Sequence, residues 1–449
     1  MHFTNIFDGF GRSIEINFDR KVSNLAGLSA ASFYLHRNGF FDTLKAHMEP
    51  VLPDSRQAGK VRFSPLQLLI QRLLSLIAGK EDLNDCVCLE KDAGFLMALG
   101  SKQVASTSTL CRFERSIDES VLEAGNRFLL DSYFRYGNKR KYIFIDVDNT
   151  PVELYGHQEN VKFNGHYRCN CYLPLLAFVD GFPLGVFNST QEGRKTMVNV
   201  FESMIVKIRE HNPDAVNTLR ADSGFNNVEL IDLCEKLGCY YLIGLSPNSA
   251  LMKRLSLWEP QFVDMLRRTP LVCGSLLRHY GEVEDYQAKS WSGPRRVIAR
   301  DYFDDHRRQW DSRFIQTNIP RHNDGKCGNL WRKTSRELYE HLYCERCLAE
   351  KHNQEFKAQA FGARASSSRF LTNSYRMLLS AFCQLAFRLL RNQLFRKNTH
   401  WNQSTLNAFR HAFICAPAVI EQLKTKVKIS LNVQVLGYDA IASFWQLKT

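Results

Sequence analysis

The chain has 449 residues, 44% of them hydrophobic and 12% aromatic, with a formal net charge of +13 and thirteen cysteines. A chain of this length suggests about two to four globular domains with ordinary apolar cores, which excludes a disordered or fibrous protein. The opening residues lack the basic and apolar blocks of a signal peptide and no run of about 18 apolar residues occurs, so a cytosolic protein without membrane spans is expected. The cysteines follow no disulfide spacing, which fits a reducing compartment, and the one CxxC pair, Cys344 and Cys347, lacks the second pair that would close a structural zinc site.

Residues 1–140 read as mostly helical. Ser64 caps a helix with Pro65 at its first position and Gly79 at its end, around an apolar stripe. Glu81-Asp-Leu-Asn-Asp85 opens a shorter helix. The segment from Ser106 to Arg115 starts as a capped helix presenting hydroxyls and Arg112, an arrangement suited either to phosphate or to an ordinary surface helix.

The pattern changes at Lys141. Tyr142-Ile-Phe-Ile-Asp146-Val-Asp148-Asn-Thr150 reads as a strand bounded by Pro151, and period-two alternation puts Asp146 and Asp148 on the same face. A hairpin follows, from Cys171 to Val179 and Phe182 to Asn188 around Asp180-Gly181, then a helix from Gly193 to His211. The strand from Val216 ends at Asp222-Ser-Gly; a helix from Val228 to Leu237 and a strand from Tyr240 to Gly244 complete a mixed α/β sheet over 141–245. Both acidic strand ends lie where open α/β folds build their sites.

Residues 246–335 break the alternation and are expected to form a β-rich insertion, with strands at Leu276 to Ala288, Arg295 to Tyr302 and Arg313 to Asn318. Helical pattern resumes over 336–400. On a regular helix Tyr343, Arg346, Glu350 and Lys357 fall within about 60° of one another, so one carboxylate shares a face with two cations and a phenol. From Lys357 to Ile420 there is no Asp or Glu while nine Lys and Arg occur, a one-sign run that favours a polyanion such as nucleic acid. A helix from Asn373 to Leu394 and another from Thr405 to Cys415 follow, and 401–449 forms a C-terminal region whose last thirty residues fit helix or strand equally.

Asp148 or Asp146, Asp222 and Glu350 call for one explanation, because clustered carboxylates repel unless a cation joins them. Mg²⁺ takes oxygen ligands and leaves positions for phosphate and water. Here a resemblance is specific. Asp148-Asn-Thr150, Arg220-Ala-Asp222-Ser-Gly-Phe225 and the Tyr343/Arg346/Glu350/Lys357 set resemble the three catalytic blocks of bacterial insertion-sequence DDE transposases, the third block matching their Y-(2)-R-(3)-E-(6)-K signature at every position. Glu81 to Asp85, Ser106 to Glu114, Gly156 to Glu159 and Ser290-Trp291 resemble further segments of one branch of that group, so the likeness covers most of the chain.

The resemblance implies an RNase H-like fold, with one acid on the first strand, one after the fourth and the third on a helix beyond a β insertion. It implies that Asp148, Asp222 and Glu350 bind two Mg²⁺ ions, with Mn²⁺ as substitute, and that Asp146 is the alternate or a supporting residue. Cleavage of transposon ends and attack of the freed 3′-OH on target DNA would follow. Arg346 and Lys357 would grip phosphate, Tyr343 would contact end DNA, and Arg364, Ser106 and Arg112 would join the DNA surface. Trp291 would stack on an unpaired base, or anchor the insertion's own core. The implied partners are terminal inverted repeats, target DNA and a second copy of the chain pairing two ends, with bacterial, nucleoid-associated localisation. A nuclease without strand transfer and a catalytically inactive DNA-binding protein are the competing readings.

Overall fold

A computed structural model describes residues 22–56, 61–188, 194–258, 277–283, 286–304, 309–423, 426–431 and 444–445. The chain divides into two compact units, one formed by residues 1–128 together with 355–449 and the other by 129–354.

The first unit is helical. Its N-terminal segment carries α1 (Ala26–Arg37), α2 (Phe40–Met48), α3 (Pro65–Ile77), α4 (Ala93–Leu99), α5 (Thr107–Ser116) and the start of α6 (Glu119–Tyr136). Ser64 and Gln67 close a reciprocal capping box on α3, with Pro65 at its first position, as the sequence leads one to expect.

The second unit is built on a sheet. In chain order it contains β1 (Tyr142–Asn149), β2 (Leu175–Val179), β3 (Phe182–Phe187), α7 (Arg194–His211), β4 (Val216–Ala221), α8 (Val228–Lys236), β5 (Tyr240–Leu245), β6 (Leu277–Val283), β7 (Arg296–Asp304) and β8 (Gln309–Thr317). The strands lie side by side as β6-β7-β8-β5-β4-β1-β2-β3. β1, β4 and β5 are parallel, while β2 and β3 fold back as an antiparallel hairpin on β1. The five-strand order β3-β2-β1-β4-β5 is the RNase H-like arrangement. The three strands from the expected insertion prolong the same sheet, with β8 antiparallel to β5 from Phe314↔Leu245 to Thr317↔Leu242.

Period-two alternation explains how that extension packs. Ile298 of β7 and Ile315 of β8 point into one core with Leu242, Leu338 and Tyr339, whereas Val297, Ala299 and Phe314 point into another with Leu251, Tyr286 and Trp291. The first core seats the turn Glu337–Tyr343, which leads into α9 (Cys347–Gln354). Between β1 and β2 the chain makes a small separate sheet from Val152–Glu153, Lys162–Asn164 and Cys169–Tyr172.

In the C-terminal part of the helical unit, α10 (Phe370–Leu394) is buried on nearly every side, so its expected apolar character is that of a central core helix. Three cations of the acid-free basic run are taken up inside the helical unit. Arg376 pairs with the fully buried Glu114 at 2.8 Å, Arg391 pairs with Glu355 at 3.0 Å, and Arg410 donates to the carbonyls of Ile77, Leu76 and Gln359. Three of the cations therefore serve the core of their own unit, because their partners lie far away in sequence. The last described strands, Ala418–Gln422 and Val427–Leu431, pair with each other, the former also with Val22–Ser23. Most of the C-terminal thirty residues lie outside the described residues.

Candidate active site

In the sheet unit, β1 and β4 run parallel with Asp146 opposite Arg220, so Asp148 and Asp222 each lie two residues beyond that pair, Asp148 still within β1 opposite Leu176 of β2 and Asp222 just past the end of β4. Phe144, Asp146 and Asp148 share one face of β1 by alternation. Asp222 ends its strand in extended backbone and caps the turn Ser223–Phe225, its Oδ1 accepting the Gly224 N–H at 2.9 Å. Gly244 of β5 is required at this point: a Cβ there would sit 2.7 Å from the Ser223 nitrogen and 2.9 Å from the Tyr343 hydroxyl.

The third acid arrives on α9. Arg346 spans the gap, its Nη1 lying 3.7 Å from Oδ2 of Asp148 and its Nη2 3.5 Å from Oε1 of Glu350. Asn353, one turn beyond Glu350, donates from Nδ2 to the same Asp148 oxygen at 2.8 Å, while its buried Oδ1 has no protein partner. Asp148 is 14% exposed at its side chain, whereas Glu350 is 61% exposed. Burial pushes the Asp148 carboxyl up to about 6, with Arg346 opposing and the negative charges of Asp222 and Glu350 adding to the rise. All three acids thus act on one half-buried guanidinium, and Asp222 and Glu350 also act on Asp148.

Asp146 is placed differently. Arg220 engages both of its oxygens, Nε to Oδ1 at 2.6 Å and Nη2 to Oδ2 at 2.8 Å. Burial raises this carboxyl as well, and the Arg220 fork pulls it down. A carboxylate held bidentately by one guanidinium has its better lone pairs occupied.

The donor set at Asp148, Asp222 and Glu350 is all hard oxygen, the type that Mg²⁺ and Mn²⁺ take, and the unpartnered Asn353 carbonyl adds another oxygen. Among the described residues no three His, Cys, Asp or Glu side chains, these three acids included, lie close enough together to hold a metal ion as they stand.

The helix that presents these groups departs from regularity. A wide π-helical turn over Glu337–Tyr343 passes through a tight 3₁₀ turn at Cys344–Arg346 into α9. Arg220 inserts here, donating from Nη1 to the Leu342 carbonyl at 2.7 Å, and such an inserted side chain is a common cause of a break in the helical ladder. The uniform step assumed from sequence for Tyr343 to Lys357 therefore does not hold, and Lys357 lies on a second π-helical turn, Glu355–Gln359, that belongs to the helical unit.

Tyr343 is half-buried against the core that includes Tyr339, ring centroids 5.5 Å apart, with burial raising its phenol above the ordinary range. Trp291 is 6% exposed, packed edge-on against Tyr286 at 5.4 Å and under the Arg295 guanidinium. Of its two readings, the core anchor describes where the side chain sits. His157 and Glu159 are exposed on the small sheet region, which also presents Tyr155, Phe163 and Tyr167 to solvent.

In the helical unit, Ser106 caps α5 by accepting the Thr109 N–H and Arg112 bonds the Ser108 carbonyl one turn back. Both line a cavity of about 590 Å³ together with Arg56, Arg62 and Phe63. Arg364 pairs with Asp82 at 2.5 Å and Glu81 at 3.6 Å.

Sequence reasoning passed over Asn353 and Arg220. The first could have been found as a polar residue one helical turn from Glu350; the second stands inside the quoted Arg220-Ala-Asp222 block, but its partners on β1 and at Leu342 are visible only in three dimensions.

An RNase H-like sheet with acids at the carboxyl ends of two adjacent parallel strands and a third acid on an overlying helix defines the class of protein. The chain belongs to the transposase DDE domain group 1 family, which it matches over residues 8–446. No curated protein matches it. A cryo-EM structure of a piggyBac transposase synaptic complex with hairpin DNA is similar at 9% identity and a TM-score of 0.45, over 85% of this chain and 79% of that one. No described helix is long and apolar enough to cross a membrane.

Proposed function

We propose that this transposase-family chain cuts the ends of its own element and joins the freed 3′-OH to target DNA, with Asp148, Asp222 and Glu350 as its catalytic acids. The observation that carries the reading is Arg346, whose one guanidinium reaches both Asp148 and Glu350 while Asp222 acts on it electrostatically. The three acids would hold two Mg²⁺ ions, or Mn²⁺ in their place, supplying activation of an attacking oxygen and stabilisation of a leaving one.

The remaining roles belong to the chain's own groups. Asn353 keeps the Asp148 carboxylate turned toward α9. Asp146, occupied by Arg220, supports the sheet end and leaves the first ligand position to Asp148. Arg346 is set among the acids, from which it can pair with a phosphate near the scissile bond. Tyr343 shapes the floor beside Asp222 and Gly244. Ser106 and Arg112, with Arg56 and Arg62 around their cavity, offer backbone N–H groups and guanidinium forks to the DNA backbone. Lys357 and Arg364 add cations, and two copies of the chain pair the two ends.

Incubating the protein with Mg²⁺, duplexes carrying the DNA that flanks its gene and a target plasmid tests the reading. Joined product is expected. Cleavage without joining would mark a nuclease, and retained binding without cleavage in Mg²⁺ or Mn²⁺ an inactive DNA-binding descendant; either result contradicts the proposal.

A further inference from the structure

Three chain segments carry the three acids, and one side chain ties all three together. Arg220 is 5% exposed. Its Nε and Nη2 grip Asp146 on β1, two residues before Asp148; its own position on β4 is two residues before Asp222; and its Nη1 donates to the Leu342 carbonyl at 2.7 Å and approaches Glu345 Oε2 at 3.3 Å, on the segment that enters the Glu350 helix. The Phe144 ring lies beneath the guanidinium, 4.8 Å from centroid to Cζ, and fixes its plane.

We infer that Arg220 is a positioning residue that locks the segment bearing Glu350 onto the sheet at the point where Asp148 and Asp222 emerge. The inference rests on the proposed joint action of the three acids. A planar fork with five donors serves Asp146 with two parallel bonds and a backbone carbonyl with a third; a lysine ammonium radiates its three donors from one nitrogen and cannot reproduce that spread geometry. The contact to Leu342 falls where the wide turn gives way to the tight one, so Arg220 also sets the angle at which α9 leaves the core. Outer residues of this kind orient metal ligands without touching the metal, and their loss weakens metal affinity or activity roughly 10–100-fold.

Two variants of the full-length protein test this. Arg220→Lys keeps a positive charge beside the buried Asp146, and Arg220→Met combined with Asp146→Leu replaces the pair by apolar groups of similar size, so that neither leaves a buried charge unpaired. Backbone hydrogen exchange, measured without metal or DNA, is expected to quicken over residues 342–350 in both variants while β1 and β4 stay protected. Mn²⁺ affinity, followed by electron paramagnetic resonance, is expected to fall by about 10–100-fold. Wild-type exchange over 342–350, wild-type Mn²⁺ affinity, or equal loss of protection in strands and turn would each overturn the inference. If the wild-type protein binds no Mn²⁺ and cleaves no DNA, the proposed function fails, while exchange over 342–350 still decides whether Arg220 is the lock.

Discussion

The carboxamide of Asn353 donates to Oδ2 of Asp148 at 2.8 Å, joining the Glu-bearing helix to the strand that carries the first acid. Asn353 is 7% exposed, so the bond is shielded from competing water. Asn353→Ala removes it, and the expected result is a fold that melts within a few degrees of wild type but cleaves end DNA roughly 10–100-fold more slowly. Wild-type cleavage kinetics in the folded variant would show that Asp148 needs no such support.

The Asp148 carboxyl, held near 6 by burial, predicts a pH dependence. A carboxyl raised on folding contributes stability that is fully present below its unfolded value near 4 and lost as pH rises through the folded value, so the metal-free protein is expected to lose on the order of 2–3 kcal/mol from this group between about pH 4 and pH 7. Asp148→Asn removes that loss. Denaturant unfolding of both proteins across this range should give curves that diverge with rising pH, the variant being the more stable, and Mn²⁺ binding by the wild type should strengthen through about pH 6.

Asp146 and Asp148 are expected to fail in opposite ways. Asp146→Ala leaves Arg220 buried without its carboxylate and should lower stability by about 3–5 kcal/mol, read from chemical denaturation. Asp148→Asn should fold well and lose cleavage. Full activity in Asp148→Asn would reverse the assignment of the first acid.

Trp291 makes a prediction about packing. Trp291→Ala empties part of the core formed with Tyr286, Val297 and Phe314 and should cost about 3–5 kcal/mol. At temperatures where the variant stays folded, its affinity for DNA ends should match the wild type. Tyr167 is exposed where Trp291 is buried, and Tyr167→Ala is expected to weaken binding to frayed ends more than Trp291→Ala does. The reverse order would restore Trp291 as the stacking residue.

Local chemistry made much of this protein readable in advance. The alternation that ends in Asp148, the Asp222-Ser-Gly turn and the capping of α3 and α5 are short-range features, and each appears in the structure where the sequence puts it. Long-range pairing was not readable. Within the basic run after Lys357, the pairing of Arg376 could not be foreseen because its partner Glu114 lies 262 residues away. Likewise the regular helix drawn through Tyr343, Arg346 and Glu350 ignored Arg220, which enters it from 122 residues upstream at Leu342. Trp291 showed the limit of a resemblance: it identified a residue, and the surrounding apolar side chains decided its exposure.

The central claim is that Glu350 works with Asp148 and Asp222 in cutting DNA, and Glu350 tests it most cleanly because its exposed side chain carries little of the fold. The decisive measurement is the Mg²⁺-dependent cleavage rate on end DNA for Glu350→Gln beside the wild type, with both proteins shown to be folded by their melting curves. Cleavage reduced by a factor of about 1,000 or more, as when a group acting in the transition state is removed, is the predicted result. A Glu350→Gln protein that cleaves at the wild-type rate would contradict the account.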